Sequence, residues 1–546
     1  MSQRERGRTP NEPNAPKALL AAILLFAALL RVIFFVGLVS GDPQDDGVYY
    51  GHALTLYQQG PTGLERFRHL PPDFLPNPVD QFDVRPMVTY PIAAAFAAFG
   101  PGEVAATLWT FACSMLTVLI VFQLGREVHD TAVGLLAALL CAFYPLEVIN
   151  GSRILSDVPV GFFCALAFWL FVRAGRRSRP RLYALAGAAV GGAYLANARG
   201  LIFLVAIVAC ATGLAMLRKV TWRAPALVMA GFVAVFTVEA LAYYVATGEP
   251  FLSYRIQTGA AAFKYLREPV SSFLWGRLRV SYNNGQPLEL VRSVLLLDVK
   301  PANQFGLFFY LFAASAVFSL IKRRNLLLLA LAAGLCVYLE FGPVRLSFDS
   351  ATRELNYMMV FKQERFLMMV TAPFAVMSAD LLRRSGRKNR IVAIIVVTAL
   401  LVTSIAVTRR TRDHYRSGLQ DLREAVSDVR AHPDRVFFGD FWAIEHLKIF
   451  TRYQAGNLRV LTPHTAPDEL AGACVMLGGS RGVELLADYV EQSLPPFARE
   501  VLNTGTAPEG WTLVKNVSAT RNGQRLHDFR IYCLPSAAEQ AAVRPG

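Results

Sequence analysis

Residues Ala18–Ser40 read ALLAAILLFAALLRVIFFVGLVS, a long apolar run holding one charge, Arg31, and followed after a few residues by two adjacent carboxylates, Asp45 and Asp46. A helix that crosses a bilayer takes about 20 predominantly apolar residues, because the hydrocarbon core is about 30 Å thick. The run therefore reads as a transmembrane helix and the acids as groups at the lipid–water boundary. Its flank is basic, yet it is longer than a signal-peptide core and lacks a clear small-residue cleavage site, so it reads as a retained anchor. Beyond the acids, Gly47-Val48-Tyr49-Tyr50-Gly51-His52-Ala53 opens a segment 41–102 that is too long for a simple connector and rich in Pro, Phe and Arg.

The rest of the chain repeats the apolar theme. Of 546 residues, 54% are hydrophobic and 17% charged, with a mean hydropathy of +0.37, more apolar surface than a water-soluble fold of this length can hide. Eleven spans are expected, at roughly 18–40, 103–124, 131–148, 157–174, 182–198, 200–217, 224–247, 304–321, 325–341, 365–382 and 391–408. A transmembrane β-barrel shows alternating segments of about 10 residues, which these uninterrupted runs are not.

The net charge of +15 raises the question of nucleic acid. Position answers it. Twenty-one bases lie in short gaps between alternate spans, among them Arg173, Arg176, Arg177, Arg179 and Arg181, and Arg383, Arg384, Arg387, Lys388 and Arg390. Only four acids share those gaps, and the balance of +17 exceeds the charge of the whole chain. That is the positive-inside pattern, and no nucleic-acid partner is implied. With the N-terminus cytoplasmic, every basic gap falls on one side. The segment 41–102, the turn near Asn150–Ser156, the loops 248–303 and 342–364, and the tail 411–546 then face outward, from a multi-pass protein of the cell inner or plasma membrane.

Two domains are expected: a transmembrane part, 1–410, and an external soluble part, 411–546. The tail is more charged and its apolar runs have strand length, near 436–438, 458–461, 474–477, 511–514 and 529–532, with helices near Trp442–Phe450 and Val483–Gln492. It reads as a small α/β domain. Cys474 and Cys533 lie in it, as a disulfide or as two thiols. No Cys or Cys/His spacing fits a metal. Within the first outer segment, Val48–Gln59 fits an interfacial helix. Pro86–Phe99 is apolar, begins at a proline, and is too short to span comfortably.

Several polar residues stand where lipid meets water. Asp45 and Asp46 fit a helix cap, and equally a general base with an orienting neighbour, since adjacent carboxylates raise one another's pKa. Asp157, in Ser156-Asp157-Val158-Pro159, fits an N-cap before a proline-containing first turn, or a site carboxylate on the same side as Asp45. Arg85 heads Arg85-Pro86-Met87-Val88-Thr89-Tyr90-Pro91; with Arg153, Arg199 and Arg365 it breaks the charge pattern by facing outward. Arginine is the residue type for bidentate phosphate contact, and interfacial anchoring is the alternative for each. Arg31 and Glu239 lie inside spans, where a charge costs at least about 2.5–3.5 kcal/mol, and an ion pair between them is the simplest expectation.

These motifs, in this order, resemble the GT-C glycosyltransferases, closest to the protein O-mannosyltransferases and the lipid A aminoarabinose transferases. Asp45-Asp46-Gly47-Val48-Tyr49, with Ala53, Leu56 and Gly60, is similar to the family's Asp-(Asp/Glu)-x-x-Tyr pattern. Arg85–Tyr90 is similar to its Lys/Arg-Pro-Pro-Leu-x-Tyr segment, with Met87 in place of the second proline. Ser152–Asp157 resembles the segment ending in a second aspartate, and Glu364-Arg365-Phe366-Leu367 a late Arg-Tyr/Phe motif. The resemblance implies a polytopic helical bundle of GT-C type and a sugar donor carried on a polyprenyl phosphate. Asp45 would be the general base, and Asp46 and Asp157 would orient it or the acceptor. Arg85, Tyr90, Arg153, Arg199 and Arg365 would line the donor side. The acceptor would be a lipid, a glycan or a protein. No cofactor is implied, although Asp45 and Asp46 could share a divalent cation through oxygen ligands. A transporter or lipid flippase is the alternative class. It would concentrate broken helices at mid-membrane, whereas the unusual residues here gather in outer segments.

Overall fold

The computed structural model describes residues 15–38, 45–60, 68, 84–257, 267–269, 304–341, 343–349, 353–359, 364–417, 419–452, 454–478, 494–521 and 524–535. Helices occupy all eleven expected spans. They are α1 (Ala15–Ile33), α4 (Glu103–Val128), α5 (Thr131–Phe143), α7 (Asp157–Arg177), α8 (Arg181–Ala196), α9 (Gly200–Met216), α10 (Arg223–Thr247), α11 (Phe308–Ile321), α12 (Leu326–Phe341), α13 (Thr371–Lys388) and α14 (Arg390–Ser417). Among the described residues six helices are long and apolar enough to cross a membrane by themselves. Between α1 and α4 lie α2 (Asp45–Gln59) and α3 (Pro86–Phe99), the two short helices expected of the first outer segment. A six-residue helix, α6 (Pro145–Asn150), follows α5.

Two spans end earlier than their composition predicts, and both endings build the site. α5 stops at Phe143 because Tyr144 precedes a proline and takes an extended conformation (φ −63°, ψ 120°). α1 stops at Ile33 rather than near Ser40. The chain then turns at Gly37, whose φ of +71° suits glycine, and pairs with Arg153 in an isolated bridge. A Cβ at Gly37 would fall 2.0 Å from a carboxylate oxygen of Glu103, so close approach and backbone conformation both demand glycine there.

Elsewhere the bundle is drawn together by small residues, as expected where lipid supplies no hydrophobic drive between helices. A Cβ on Gly187 of α8 would meet the Val228 carbonyl of α10 at 1.9 Å, and one on Gly231 of α10 would meet the Ala184 carbonyl of α8 at 1.9 Å. The two intramembrane charges are not partners. Arg31 donates from Nε to Ser114 Oγ at 2.9 Å and from Nη1 to the carbonyls of Ala27 and Ala142. Ser114 in turn reaches the Glu147 carboxylate at 3.2 Å. Glu239 interacts instead with Tyr194 and Ser253. The expected Arg31–Glu239 pair is thus replaced by a polar chain through α4, because the early end of α5 brings Glu147 inward.

At one end of the bundle the basic gaps meet. Arg176 donates to the Glu127 and Val128 carbonyls, and Arg383 pairs with Asp130, which also caps α5. Asp45, Asp46, Arg85, Arg153, Asp157, Arg199 and Arg365 belong to the connections at the other end.

There too sit the two sheets. One has three antiparallel strands, ordered β1 (Arg267–Pro269), β3 (Glu354–Met359), β2 (Pro343–Asp349). The C-terminal unit follows α14 with α15 (Gln420–Ala431), α16 (Phe441–Phe450) and α17 (Pro496–Thr504) around a five-stranded sheet. Its order is β5 (Leu458–Val460), β4 (Phe437–Gly439), β6 (Cys474–Gly478), β8 (Gln524–Cys533), β7 (Thr512–Arg521). β4 runs parallel to β5 and β6, and β7 and β8 complete the sheet antiparallel. Side chains alternate across it. Met476, Phe529 and Ile531 join the core continuous with the bundle, while Val475, Leu477 and Tyr532 pack with Ala498 and Val501 of α17. The helix expected at Val483–Gln492 lies outside the described residues.

Cys474 and Cys533 are register partners of β6 and β8 and form a disulfide, resolving the two options the sequence left open. It closes a loop across 59 residues. Replacing Cys474 by Ser should cost about 2–4 kcal/mol of stability, read as a lowered unfolding midpoint in detergent. Gly37→Ala should destabilise by about 1–3 kcal/mol from its backbone conformation alone, with the Glu103 clash added, in the same measurement.

Candidate functional site

The first carboxylate pair opens α2. Asp45 is its first residue; its side chain lies outside the described residues. Asp46 is 2% exposed and receives Arg153 as a fork, Nε to Oδ2 at 3.2 Å and Nη2 to Oδ1 at 3.0 Å. Arg153 is itself buried, its guanidinium carbon 4.7 Å from the centre of the Tyr415 ring. A bidentate Arg–carboxylate pair away from water is a strong interaction with fixed geometry. Asp46 is therefore an ionised, oriented group, and Arg153 belongs to it.

One helical turn along, Tyr49 presents the same face as Asp46. It is fully buried, accepts a hydrogen bond from Arg85 Nη1, and offers its ring to that guanidinium at 5.8 Å. Tyr50 points the other way and packs on Phe96 of α3, ring centres 4.9 Å apart. Burial, reinforced by the nearby Glu103 charge, pushes the Tyr50 phenol up, so it stays neutral. Thus α2 is pinned on α3 by Tyr50 while Asp46 and Tyr49 aim inward at two arginines.

Asp157 is the centre of the second cluster. It is the first residue of α7; Ser156 holds the capping position and no side chain caps the helix. The N-cap explanation of Asp157 does not hold. Its carboxylate, 3% exposed, pairs with Arg199 Nη1 through Oδ1 at 2.7 Å and forms an ion pair with Arg365, whose Nε lies 3.2 Å from Oδ2 without hydrogen-bond geometry, and it lies within electrostatic reach of Arg85. Arg365 comes from the 3₁₀ turn Glu364–Val370 before α13. Its neighbour Phe366 lies under the Arg199 guanidinium at 3.6 Å. Asn197 holds Arg199 from behind, accepting from its backbone N and Nε and donating to Ser156 Oγ. Gln257 bonds the Ala198 amide and Ser253, and Ser253 reaches the Val84 carbonyl, which ties the backbone beside Arg199 to the backbone beside Arg85.

Three guanidinium groups thus face the one Asp157 carboxylate. Such a cluster suits a phosphate anion. Arg85, Asp157, Arg199 and Arg365 are thus brought together, and Asp46 with Arg153 stands beside them through the short link 153–157. Tyr90 is not: it is 46% exposed on α3 and makes none of these contacts. Among the described residues no group of three or more His, Cys, Asp or Glu gathers that could hold a metal ion. Both Asp46 oxygens are committed to Arg153.

Sequence reading quoted Tyr49 and Phe366 within motifs but gave them no role, and it missed Asn197, Gln257 and Tyr415. The i, i+3 spacing of Asp46 and Tyr49 was a usable signal. The others reach the site only because distant connections converge.

The bundle with its short helices α2 and α3 and its C-terminal sheet has the fold of solved GT-C membrane glycosyltransferases. Residues 83–244, which carry Arg85, Arg153, Asp157 and Arg199, match the family model described as dolichyl-phosphate-mannose-protein mannosyltransferase. Among solved structures, ArnT from Cupriavidus metallidurans in the apo state is 12% identical, with a TM-score of 0.53 over 94% of this chain and 98% of that one. The oligosaccharyltransferase of Archaeoglobus fulgidus in the apo form is 15% identical, with a TM-score of 0.50 over 90% of this chain and 71% of that one. Against the same archaeal enzyme with zinc and sulfate (15% identity, TM-score 0.49), 80% of this chain spans only 63% of that chain's length. No curated protein matches the sequence.

Removing one partner of a buried pair strands the other charge, at a cost of about 3–5 kcal/mol. Asp46→Ala should lower the unfolding midpoint accordingly, and adding Arg153→Met should recover part of the loss in a double-mutant cycle.

Proposed function

We propose that the chain is an outer-face glycosyltransferase moving a sugar from a polyprenyl-phosphate donor to a lipid, glycan or protein acceptor by inverting direct displacement. The observation that carries this reading is the convergence of Arg85, Arg199 and Arg365 on the buried Asp157, beside the Asp46–Arg153 pair. A polyprenyl tail belongs in lipid, its phosphate against arginine, and its sugar in water. A site at the end of a membrane bundle meets all three needs. A structure of ArnT of the same fold, 11% identical with a TM-score of 0.50, is bound to undecaprenyl phosphate, which supports a donor of that kind.

In the proposed step the acceptor hydroxyl gives its proton to the Asp45 carboxylate. Its oxygen then bonds the anomeric carbon, and the bond from that carbon to the phosphate oxygen breaks with its electron pair. The three arginines take up the charge growing on the leaving phosphate, where preorganised donors are most effective. Asp157 holds Arg199 and Arg365 in position. Asp46, already paired, orients the start of α2 and with it Asp45. Residues 1–410 would form the membrane part, with the N-terminus cytoplasmic and the tail outside. The tail's boundary is a junction rather than a break, since α14 runs on to Ser417.

Transfer of labelled sugar from polyprenyl phosphate in reconstituted membranes tests the reading. Asp45→Asn should lower the rate on the order of 10²–10⁴-fold, the usual worth of a general base; unchanged transfer removes Asp45 from that role. Arg85→Lys keeps the charge but loses the fork, and should lower kcat/KM for the donor about tenfold or more, since a hydrogen bond to a charged group is worth about 1.5–3 kcal/mol. Vesicle uptake of the lipid-linked sugar without transfer would instead favour a transporter.

A further inference from the structure

The C-terminal unit meets the bundle at the site itself. Tyr415, on the last turn of α14, lays its ring against the Arg153 guanidinium at 4.7 Å. Its hydroxyl accepts from Gln304 Nε2 at 2.8 Å, and Gln304 Oε1 accepts from Asn150 Nδ2 at 3.0 Å. Asn150 is fully buried and Gln304 nearly so. Asn150 ends α6, three residues before Arg153. Tyr415 thus touches Arg153 directly and grips its backbone approach through a buried amide relay.

Neighbouring contacts hold the other side of the same pair. Arg416 Nη1 donates to the Phe35 carbonyl at 3.3 Å. Arg423 of α15 forks onto Glu103 at 2.6 and 3.0 Å, and Glu103 accepts the Leu38 amide at 2.8 Å. Leu38 follows Gly37, which bridges Arg153. His446 of α16 lies 3.7 Å from where a Cβ of Gly47 would stand, in the first turn of α2. Every one of these contacts bears on Arg153 or on the chain leading into Asp45 and Asp46, and each comes from residues after 414.

We propose that Tyr415 is a positioning residue: it fixes the Arg153 guanidinium, and through it the Asp46 carboxylate at the start of α2, so that the C-terminal unit sets the geometry of the reacting end of the site. A desolvated cation–π contact holds the guanidinium against the ring; without it Arg153 and its salt-bridge partner could swing together. The catalytic consequence rests on the glycosyltransferase reading; the mechanical one does not.

Two readouts on the full chain in nanodiscs keep them apart. Tyr415→Phe keeps the ring and loses the bond to Gln304; Tyr415→Leu loses both. The first readout is backbone hydrogen exchange. Tyr415→Leu should speed exchange in the first turn of α2 and in 150–157 about tenfold, leaving α8–α10 unchanged, with Tyr415→Phe between it and wild type. Exchange equal to wild type in both segments, or raised equally throughout the bundle, overturns the proposal. The second readout is transfer from the polyprenyl-phosphate donor. Tyr415→Leu should lower kcat about tenfold with donor KM within about threefold, the pattern of lost transition-state geometry, and Tyr415→Phe should restore most of it. A kcat that falls only in proportion to the folded fraction, alike in both variants, makes Tyr415 merely structural and also overturns it. If wild type itself transfers no sugar, the proposed function fails, and the exchange data still decide whether Tyr415 positions the pair.

Discussion

A guanidinium or a carboxylate buried at the end of a membrane bundle is tolerable only when the other stands beside it. That constraint organises this protein. Arg153 is 1% exposed and Asp46 2%, and neither position is sustainable without its partner. Around them the chain makes several departures from regular structure: α1 stops at Ile33, Gly37 turns in the left-handed region, α5 stops before Pro145, and α2 begins at Asp45. Each departure delivers one charged side chain to the place where another waits. The bundle could be longer and simpler, but it would then have no site.

The two ion clusters differ in a way that matters for chemistry. Asp46 and Arg153 meet as a two-point fork, so their mutual geometry is fixed. Asp157 faces three arginines. Phe366 beneath Arg199 and Asn197 behind it hold that guanidinium in one orientation. A site built this way is arranged for an anion before the anion arrives, so little reorganisation is needed when charge develops.

The C-terminal unit belongs to the same economy of contacts. Its sheet has a core of its own with α17, yet Leu422, Ala443 and Leu447 of α15 and α16 join the core that runs through the bundle. Tyr415 and Arg423 then reach from it to Arg153 and Glu103. The C-terminal unit is a wall of the site as much as an appendage.

Eleven helical spans, the two short outer helices and most strands of the tail were legible in the sequence, because apolar periodicity and run length report directly on what a segment can bury. That Asp45, Asp157 and the arginines gather at one end of the bundle was legible too, since bases crowd the gaps at the opposite end. The partnerships were not. Arg31 and Glu239 were the two conspicuous intramembrane charges, and pairing them was natural; the structure joins Arg31 to Ser114 and Glu147 instead. Arg153 read as one more phosphate contact and proved to be the mate of Asp46. Tyr90 shared a motif with Arg85 yet faces outward, because on α3 it lies on the face opposite Val88 and Ile92. Local sequence fixes which residues lie at the membrane boundary, for that depends on solvent alone. Which of them meet depends on where helices end and how connections from 37, 85, 153, 199, 365 and 415 converge, and only the packed tertiary structure decides that.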